Sequence, residues 1–396
     1  MKILKIQPYL LENEIQHYAW GQKNDEAFIP KLIGITPQND LPYAELWIGA
    51  HPKAPSKLID TDLLEMIHSF PEEILGEKAT ARFRGNLPFL MKVLTAGEAL
   101  SIQAHPNKAQ AEILHEKDPE NYPDNNHKPE IAIALDDLTA LVGFRTIREM
   151  LNVLDNYPPI GEFVSPELLK GDNERESLKA FYTEIMTKAE SNPDELELVL
   201  VKMDELISLK NEKSEADEFY IELRQKYGTD VGLFSLYFFN LLHLSQGEAV
   251  FLSAGIPHAY LKGNIIECMA NSDNVVRAGL TPKFKDISTL VDILTYDTGL
   301  PIILQEDKNS YQTEYKVPVP DFAILMKKLK PGKEIKNFGK RLEIFIITEG
   351  QIHIQSGDFS DEYQKGDALL IPAALNCYKI TATEPATLFS AIIPEN

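Results

Sequence analysis

The chain has 396 residues, 44% of them hydrophobic, which is typical of a globular protein of two or three domains. Its formal net charge of −21 argues against nucleic acid or an anionic membrane as a partner. Its two cysteines are too few for a disulfide framework or a thiolate metal site, and we expect a cytoplasmic protein. The first residues are too polar for a secretion signal. The most apolar run, residues 233–244, is too short to span a membrane and predicts a buried helix.

Along the chain, a part rich in predicted strands is followed by a block of predicted helices and then by strands again. Residues 1–60 carry short strand-like runs separated by prolines, and residues 60–84 have helical spacing. Apolar runs at 88–94 and 100–105 predict strands, and residues 107–117 predict a helix with Ala109, Ile113 and Leu114 on its inner side. From about Thr146 helical spacing and Glu/Lys pairs predict a block of helices, whose last and most apolar member is expected at 230–244. Short strands return after Ser245.

A short repeat links the two β-rich parts of the chain. Gly247-Glu-Ala-Val-Phe-Leu-Ser-Ala aligns without gaps to Gly366-Asp-Ala-Leu-Leu-Ile-Pro-Ala. A turn followed by a strand is typical of the hairpins of a small β-barrel or jelly roll. In this alignment His258 corresponds to Cys377, and no Gln-x-His pair precedes the second copy. If the copies are equivalent barrels, the C-terminal barrel has no metal site.

Four polar side chains form a candidate metal site. Gln103 and His105 are two residues apart in an apolar run, so on a strand both side chains point to one face. Glu130 precedes the predicted strand Ile-Ala-Ile-Ala-Leu, and His258 lies at a strand-to-turn boundary. Two imidazoles, a carboxylate and an amide oxygen suit zinc and are tolerated by iron or manganese. The alternative is that each residue is a satisfied polar group on an alternating strand.

Several longer motifs resemble one known family. The motifs are Tyr18-Ala-Trp-Gly, Ala44-Glu-Leu-Trp-Ile-Gly-Ala-His-Pro-Lys, Leu100-Ser-Ile-Gln-Ala-His-Pro, Asn126-His-Lys-Pro-Glu, Pro257-His-Ala-Tyr and Ile266-Glu-Cys-Met-Ala-Asn-Ser-Asp-Asn-Val-Val-Arg. Together they resemble the type I mannose-6-phosphate isomerases, zinc enzymes of the cupin fold. The resemblance runs in order from about residue 15 to about 290, and more loosely through the C-terminal part. It departs mildly at Ser253, where proline is usual, and at Asn125.

The resemblance implies a set of site residues. It places the ligands of one Zn²⁺ per chain on Gln103, His105, Glu130 and His258, and the active-site arginine on Arg277. The implied acid/base and substrate-contact positions are Lys128, Glu267, Asp273, Lys283, Ser101, Lys92, Trp20 and Tyr260. The residues alone leave another reading of Arg277 open, namely a buried ion pair with Asp273.

The resemblance also implies the architecture. We expect a mainly β chain with an inserted α domain, that is, two cupin-type jelly-roll barrels plus a helical insertion. Residues 1–147 and 245–315 would form the metal-binding catalytic cupin, 148–244 the helical insertion, and 316–396 a cupin-like domain without a metal site. We expect a monomer that binds a small sugar phosphate, with no nucleic acid and no membrane partner.

The implied reaction is the zinc-dependent interconversion of mannose 6-phosphate and fructose 6-phosphate through an enediolate. Such a reaction needs a base whose pKa lies near the working pH; Glu267, Lys128 and a hydroxide on the metal all qualify. Lys92, Lys283 and Ser101 are candidates for the 6-phosphate, with Lys108 a weaker one.

Two rival functions are an iron-dependent cupin oxygenase and a non-catalytic sugar-binding cupin. The glutamine ligand and the nearby lysines disfavour the first rival. The second rival predicts the loss of a ligand or of Arg277, and none is lost.

Overall fold

Antiparallel sheets dominate the structure, a computed structural model that describes residues 4–394, so the outermost residues of the predicted first and last domains lie outside it. The strands are β1 (Tyr9–Leu11), β2 (Glu14–Gln16), β3 (Gln22–Lys23), β4 (Pro42–Tyr43), β5 (Glu45–Gly49), β6 (Phe89–Ala96), β7 (Ile102–Ala104), β8 (Glu130–Ala134), β9 (Leu138–Phe144), β10 (Phe239–Leu244), β11 (Ala249–Leu252), β12 (His258–Ala270), β13 (Val276–Gly279), β14 (Ile303–Leu304), β15 (Gln312–Tyr315), β16 (Ala323–Leu329), β17 (Glu334–Phe338), β18 (Glu343–Glu349), β19 (Gln351–Ser356), β20 (Phe359–Gln364), β21 (Ala368–Ile371), β22 (Cys377–Ala382) and β23 (Ala386–Ile392).

Helices cluster between β9 and β10. The α-helices are α1 (Phe28–Ile33), α2 (Leu63–Ser69), α3 (Pro71–Leu75), α4 (Glu77–Phe83), α5 (Lys108–Lys117), α6 (Ile147–Asn156), α7 (Pro158–Phe163), α8 (Glu174–Ser191), α9 (Pro193–Ser208), α10 (Glu215–Tyr227), α11 (Ser235–Phe238) and α12 (Ile287–Ile293). Short 3₁₀ helices cover Asn24–Glu26, Pro166–Lys170 and Val231–Phe234. Within residues 4–394 no helix is long and apolar enough to cross a membrane.

The strands form two large sheets that share a core. The larger sheet has 11 strands along the path β14-β11-β8-β12-β6-β5-β2, with β7, β9, β10 and β13 attached beside it. The second has the order β1-β21-β18-β23-β16-β15, so the N-terminal strand completes a sheet made otherwise of residues 312–392. One apolar cluster contains Met91 and Ile133 from the first sheet and Ile344 and Leu370 from the second. The sheets therefore pack through a common core.

Most predicted helices are present, and their ends follow from capping. Thr146 and Ser214 cap α6 and α10, each through a reciprocal capping box with the third residue of the helix. The predicted inner side of residues 107–117 is wrong in part: in α5, Ala111 is buried, whereas Ile113 is 51% exposed.

The predicted apolar helix at 230–244 is also wrong, because its second half is strand β10, paired with β9. The side chain of Asn240 explains the strand. Its Nδ2 donates to the carbonyls of Val142 at 3.0 Å and Phe144 at 3.1 Å, which holds this segment against β9. Periodicity alone does not separate a short buried helix from a buried strand.

The sequence repeat is also a structural repeat. β11 and β21 are each 4 residues long, and each follows a glycine with positive φ, 85° at Gly247 and 96° at Gly366. The next strand of each copy begins at the aligned residue, His258 for β12 and Cys377 for β22. Both strands of the first copy lie in the larger sheet, whereas in the second copy β21 lies in the six-stranded sheet and β22 in a four-stranded sheet with the order β17-β22-β19-β20.

Candidate active site

His105, Glu130 and His258 come together from three different strands. His105 follows the last residue of β7, Glu130 begins β8 and His258 begins β12. Nε2 of His105 lies 3.4 Å from Oε1 of Glu130, and Nε2 of His258 lies 3.3 Å from Oε2. All three side chains are buried, and their ligand atoms lie within 4.8 Å of one another. This spacing is compatible with a metal ion bound between them.

Backbone carbonyls fix which nitrogen of each imidazole faces the cluster. Nδ1 of His105 lies 2.7 Å from the carbonyl oxygen of Asn274, and Nδ1 of His258 lies 3.0 Å from that of Ile256. Because a carbonyl can only accept, each Nδ1 donates its proton, and in a neutral ring Nε2 then carries the lone pair. Burial, with help from Lys128, lowers the pKa of His105 to about 4, so this ring is neutral at pH 7.

The polar atoms of this cluster fit a metal. Within residues 4–394 the two buried Nε2 atoms have no hydrogen-bond partner. Burial alone would raise the pKa of Glu130, but Lys128, whose Nζ lies 2.8 Å from Oε1, and the two histidines hold this pKa well below its usual range. Two imidazole nitrogens and an ionised carboxylate are a common ligand set of zinc.

Gln103 lies on β7 beside this cluster. It is the register partner of His258 on β12 and of Arg277 on β13. Its side chain lines a cleft whose walls also include Lys128, the residue that contacts Glu130. The amide is therefore placed next to one histidine of the cluster and next to the arginine.

The cleft has a volume of about 1190 Å³ and brings together all the remaining predicted site residues. Its walls include Trp20, Lys92, Ser101, Gln103, Lys128, Tyr260, Glu267, Asp273, Arg277 and Lys283. Lys108 lies apart from the walls: its Nζ donates to the carbonyl of Asn125 at 2.8 Å and so holds the loop that leads to β8. Lys108 therefore has a structural role in this loop.

A buried row of charges crosses the floor of the cleft from β5 to β12. Nζ of Lys92 lies 3.1 Å from Oε2 of Glu267 and 3.5 Å from Oε1 of Glu45. Glu45 also accepts a hydrogen bond of 2.6 Å from the indole nitrogen of Trp47. Burial raises the pKa of Glu267, although Lys92 opposes the shift. The Lys92 ammonium is therefore already neutralised by two carboxylates.

Arg277 has no such partner. Asp273, with which the sequence allowed it to pair, contacts Nζ of Lys53 at 2.7 Å and Nε2 of His51 at 3.5 Å instead. Within the described part of the chain Arg277 forms no ion pair, and burial lowers its pKa. His51 and Lys53 were not singled out from the sequence; the motif Ala50-His-Pro-Lys was the only signal for them.

The cleft is less acidic than the chain as a whole. Its walls carry the bases Lys53, Lys92, Lys128, Lys226, Arg277, Lys283 and Lys285 and the acids Glu45, Glu98, Glu120, Asp230, Glu267 and Asp273. Lys226 pairs with Glu98, and Lys285 lies 3.4 Å from Asp230. Among the bases of these walls, Arg277 and Lys283 form no ion pair within residues 4–394. They are the cations best able to meet an anion there.

Known proteins share both the sequence and the fold. The family model for the catalytic domain of type I phosphomannose isomerase matches residues 9–147. Mannose-6-phosphate isomerase of Homo sapiens is 41% identical over 407 residues, covering 94% of this chain and 95% of the relative. That of Schizosaccharomyces pombe is 38% identical over 421 residues, covering 98% and 97%. A solved mannose 6-phosphate isomerase with zinc bound superposes with a TM-score of 0.84 at 30% identity, covering 98% and 100%.

The fold and these likenesses define an isomerase, and its His-Glu-His cluster is a candidate metal site. The chain belongs to the type I mannose-6-phosphate isomerase family. This family membership also disfavours the two rival functions considered from the sequence.

Proposed function

We propose that the chain interconverts mannose 6-phosphate and fructose 6-phosphate with one Zn²⁺ per chain and through an enediolate intermediate. The observation that carries the proposal is the buried His105–Glu130–His258 cluster, which lies next to two residues of the cleft walls, Gln103 and Lys128. Arg277, which forms no ion pair within residues 4–394, lines the same cleft. Family membership supports the substrate pair, and the solved relative with zinc supports the metal.

The metal would be held by Gln103, His105, Glu130 and His258. When bound, zinc supplies a Lewis acid that stabilises negative charge developing on a substrate oxygen. The backbone carbonyls of Asn274 and Ile256 orient the two imidazoles before the metal arrives, so little rearrangement is required.

Glu267 is the base that the contacts favour, with Lys128 as the second candidate. Glu267 lines the cleft, and burial moves its pKa upward, towards the range in which a carboxylate is an effective base at neutral pH. Lys128 lies against Glu130, so its ammonium is engaged by a carboxylate. In this proposal Glu267 removes the proton next to the carbonyl and returns it to the neighbouring carbon, while Lys128 supplies positive charge.

Arg277 and Lys283 are proposed to bind the anionic parts of the substrate. Arg277 is a register partner of Gln103, so its guanidinium serves the enediolate oxygens, and the exposed Lys283 at the cleft rim serves the 6-phosphate together with Ser101. Lys92 is proposed to hold Glu267 rather than phosphate, because two carboxylates already neutralise its charge. Trp20 and Tyr260 would form walls of the sugar pocket.

The architecture is proposed to be two cupin-type jelly rolls with a helical insertion, divided as the sequence suggests except that residues 239–244 form strand β10 of the larger sheet. The repeat of β11–β12 in β21–β22 supports two related barrels, and the helices between β9 and β10 support the insertion. β1 nevertheless pairs with β21, so the N-terminal segment also contributes to the second barrel. A monomeric state and a cytoplasmic location stay predictions.

A coupled assay of fructose 6-phosphate formation from mannose 6-phosphate tests the function. Activity should be lost on chelation and restored by Zn²⁺. If chelation does not change the activity, the isomerase reaction is supported but the role of Zn²⁺ is wrong. A metal-loaded protein without activity would overturn the substrate assignment.

A further inference from the structure

A buried carboxylate in the second sheet occupies the same register position as Glu130. In the first sheet, Leu252 on β11 pairs with Glu130 on β8. In the second sheet, Ile371 on β21 pairs with Glu343 on β18. Leu252 and Ile371 are aligned residues of the sequence repeat, so Glu343 is the positional counterpart of Glu130.

The neighbouring strand on the other side gives the same correspondence. Glu130 also pairs with Met269 on β12, and Glu343 also pairs with Ile392 on β23. Glu130 therefore begins β8, which lies between β11 and β12. In the same way, Glu343 begins β18, which lies between β21 and β23. Its side chain is buried in each case, 0% exposed at Glu130 and 2% at Glu343.

The counterparts of His258 and Gln103 have changed. Cys377, the counterpart of His258, is exposed, and its register partner Phe338 is 75% exposed where the first sheet has Gln103. The next residue, Tyr378, is buried, and its hydroxyl donates to Oε2 of Glu343 at 2.6 Å. The second site has thus kept a carboxylate and lost the imidazole.

A lysine ammonium now neutralises this carboxylate. Nζ of Lys327 donates to Oε1 of Glu343 and to Oγ of Ser390 at 3.2 Å. Lys327 is 1% exposed and Ser390 is 0% exposed. Ser390 pairs with Phe345, two residues beyond Glu343, just as Glu267 pairs with Ala132, two residues beyond Glu130. The Lys327 ammonium is therefore bound by oxygen atoms of Glu343 and Ser390, which occupy the positions that Glu130 and Glu267 occupy in the first sheet.

We propose that Lys327, Glu343, Tyr378 and Ser390 form a closed cation site, the counterpart of the metal centre, in which the Lys327 ammonium takes the place of a divalent metal. This proposal rests on the metal ligands proposed for the first sheet. The metal content of the unmutated protein tests those ligands, and the metal content of Lys327→Ala tests the cation site of the second sheet. Removal of the ammonium leaves a buried carboxylate near the hydroxyl groups of Tyr378 and Ser390, with the amide nitrogen of Asn337 3.5 Å from its Oε2. Carboxylate and hydroxyl oxygens are ligands that hard ions such as Mn²⁺ or Mg²⁺ prefer.

The test is the metal content and thermal stability of Lys327→Ala, purified with and without Mn²⁺. The expected result is roughly one Mn²⁺ per chain more than the unmutated protein takes up, with a midpoint of unfolding that rises on addition of Mn²⁺. The matched control is Lys327→Ala/Glu343→Gln, which should show neither effect because the anion is gone.

Each outcome decides the proposal. A Lys327→Ala protein with unchanged metal content and no gain in stability overturns it, as does one that stays unfolded with Mn²⁺ present. A variant that folds only with Mn²⁺ supports it. If the unmutated protein binds no metal, the metal site of the first sheet has been assigned wrongly. The additional Mn²⁺ that Lys327→Ala binds still tests the cation site of the second sheet.

Discussion

Arg277 on β13 and His258 on β12 are both register partners of Gln103 on β7, so an arginine that forms no ion pair within residues 4–394 lies two strands from a histidine of the buried cluster. Asp273 does not neutralise it, because Lys53 and His51 already engage that carboxylate. The arginine therefore keeps its charge for an anion in the cleft.

Arg277→Ala should lower kcat by about 10²–10³-fold, since it removes preorganised positive charge from the developing oxyanion. Metal content should stay that of the unmutated protein, as measured by atomic absorption beside the coupled assay. Arg175→Ala is the matched control, because the exposed Arg175 pairs with the exposed Asp297. If Arg277→Ala keeps full activity, the guanidinium does not touch the reacting oxygens.

His258→Ala should lose both bound metal and turnover. The imidazole Nε2 is one of the nitrogen atoms of the cluster, and without it Glu130 and His105 offer an incomplete set. Cys377→Ala at the aligned position of the second copy should keep both, because that side chain is exposed and is not a member of the His105–Glu130–His258 cluster. A fully active, metal-replete His258→Ala protein would remove His258 from the ligand set.

Much of the site could be predicted from the sequence because its residues stand at strand ends inside distinctive motifs. The geometry that unites His105, Glu130 and His258 comes from strand pairing over long sequence separations. Spacing and residue type indicated these residues as candidates, and the motif resemblance indicated the same set. The partners of Asp273 and Lys92 could not be predicted, since they depend on which strands become neighbours.

The fold was predicted well where local signals are strong. Thr146 and Ser214 mark helix starts through capping, and the Gly247 and Gly366 turns mark the repeat. The failure at residues 239–244 has a tertiary cause. An apolar run is compatible with helix or strand, and the partner that decides the matter, β9, lies about a hundred residues earlier in the chain.

Asn240→Ala should destabilise the protein by about 1–2 kcal/mol, because it removes the side-chain amide that donates to the carbonyl groups of Val142 and Phe144. The measurement is the midpoint of thermal unfolding. His243→Ala on the same strand is the control, since its side chain is exposed and contacts Glu215 and Thr139 at the surface. Equal effects of the two substitutions would show that the Asn240 amide does not hold β10.

Glu343→Gln should flatten the acid side of the stability profile. Lys327 holds the pKa of Glu343 at about 2 against the opposing effect of burial. A lowered folded-state pKa contributes stability above the unfolded value of 4.5, and this contribution is lost as pH falls from 4.5 towards 2. The difference between the unmutated protein and Glu343→Gln in urea unfolding should be about 3–5 kcal/mol at pH 6 and should shrink below pH 4.5.

Glu334→Gln serves as the control for this experiment, because its exposed carboxylate pairs with Lys379 on the protein surface. Its effect should stay within about 1 kcal/mol at every pH. If the Glu343→Gln difference is as small, the buried pair adds no measurable stability.

Lys92→Met should move the acid limb of the kcat/KM profile to higher pH. Burial raises the pKa of Glu267 and Lys92 opposes the shift, so removal of the ammonium raises this pKa further. If ionised Glu267 is the base, a higher pH is then needed to ionise it. Lys262→Met, an exposed residue on the same strand as Glu267, is the control. The measurement is the coupled assay across pH at constant metal content. An unmoved acid limb would transfer the role of base from Glu267 to Lys128.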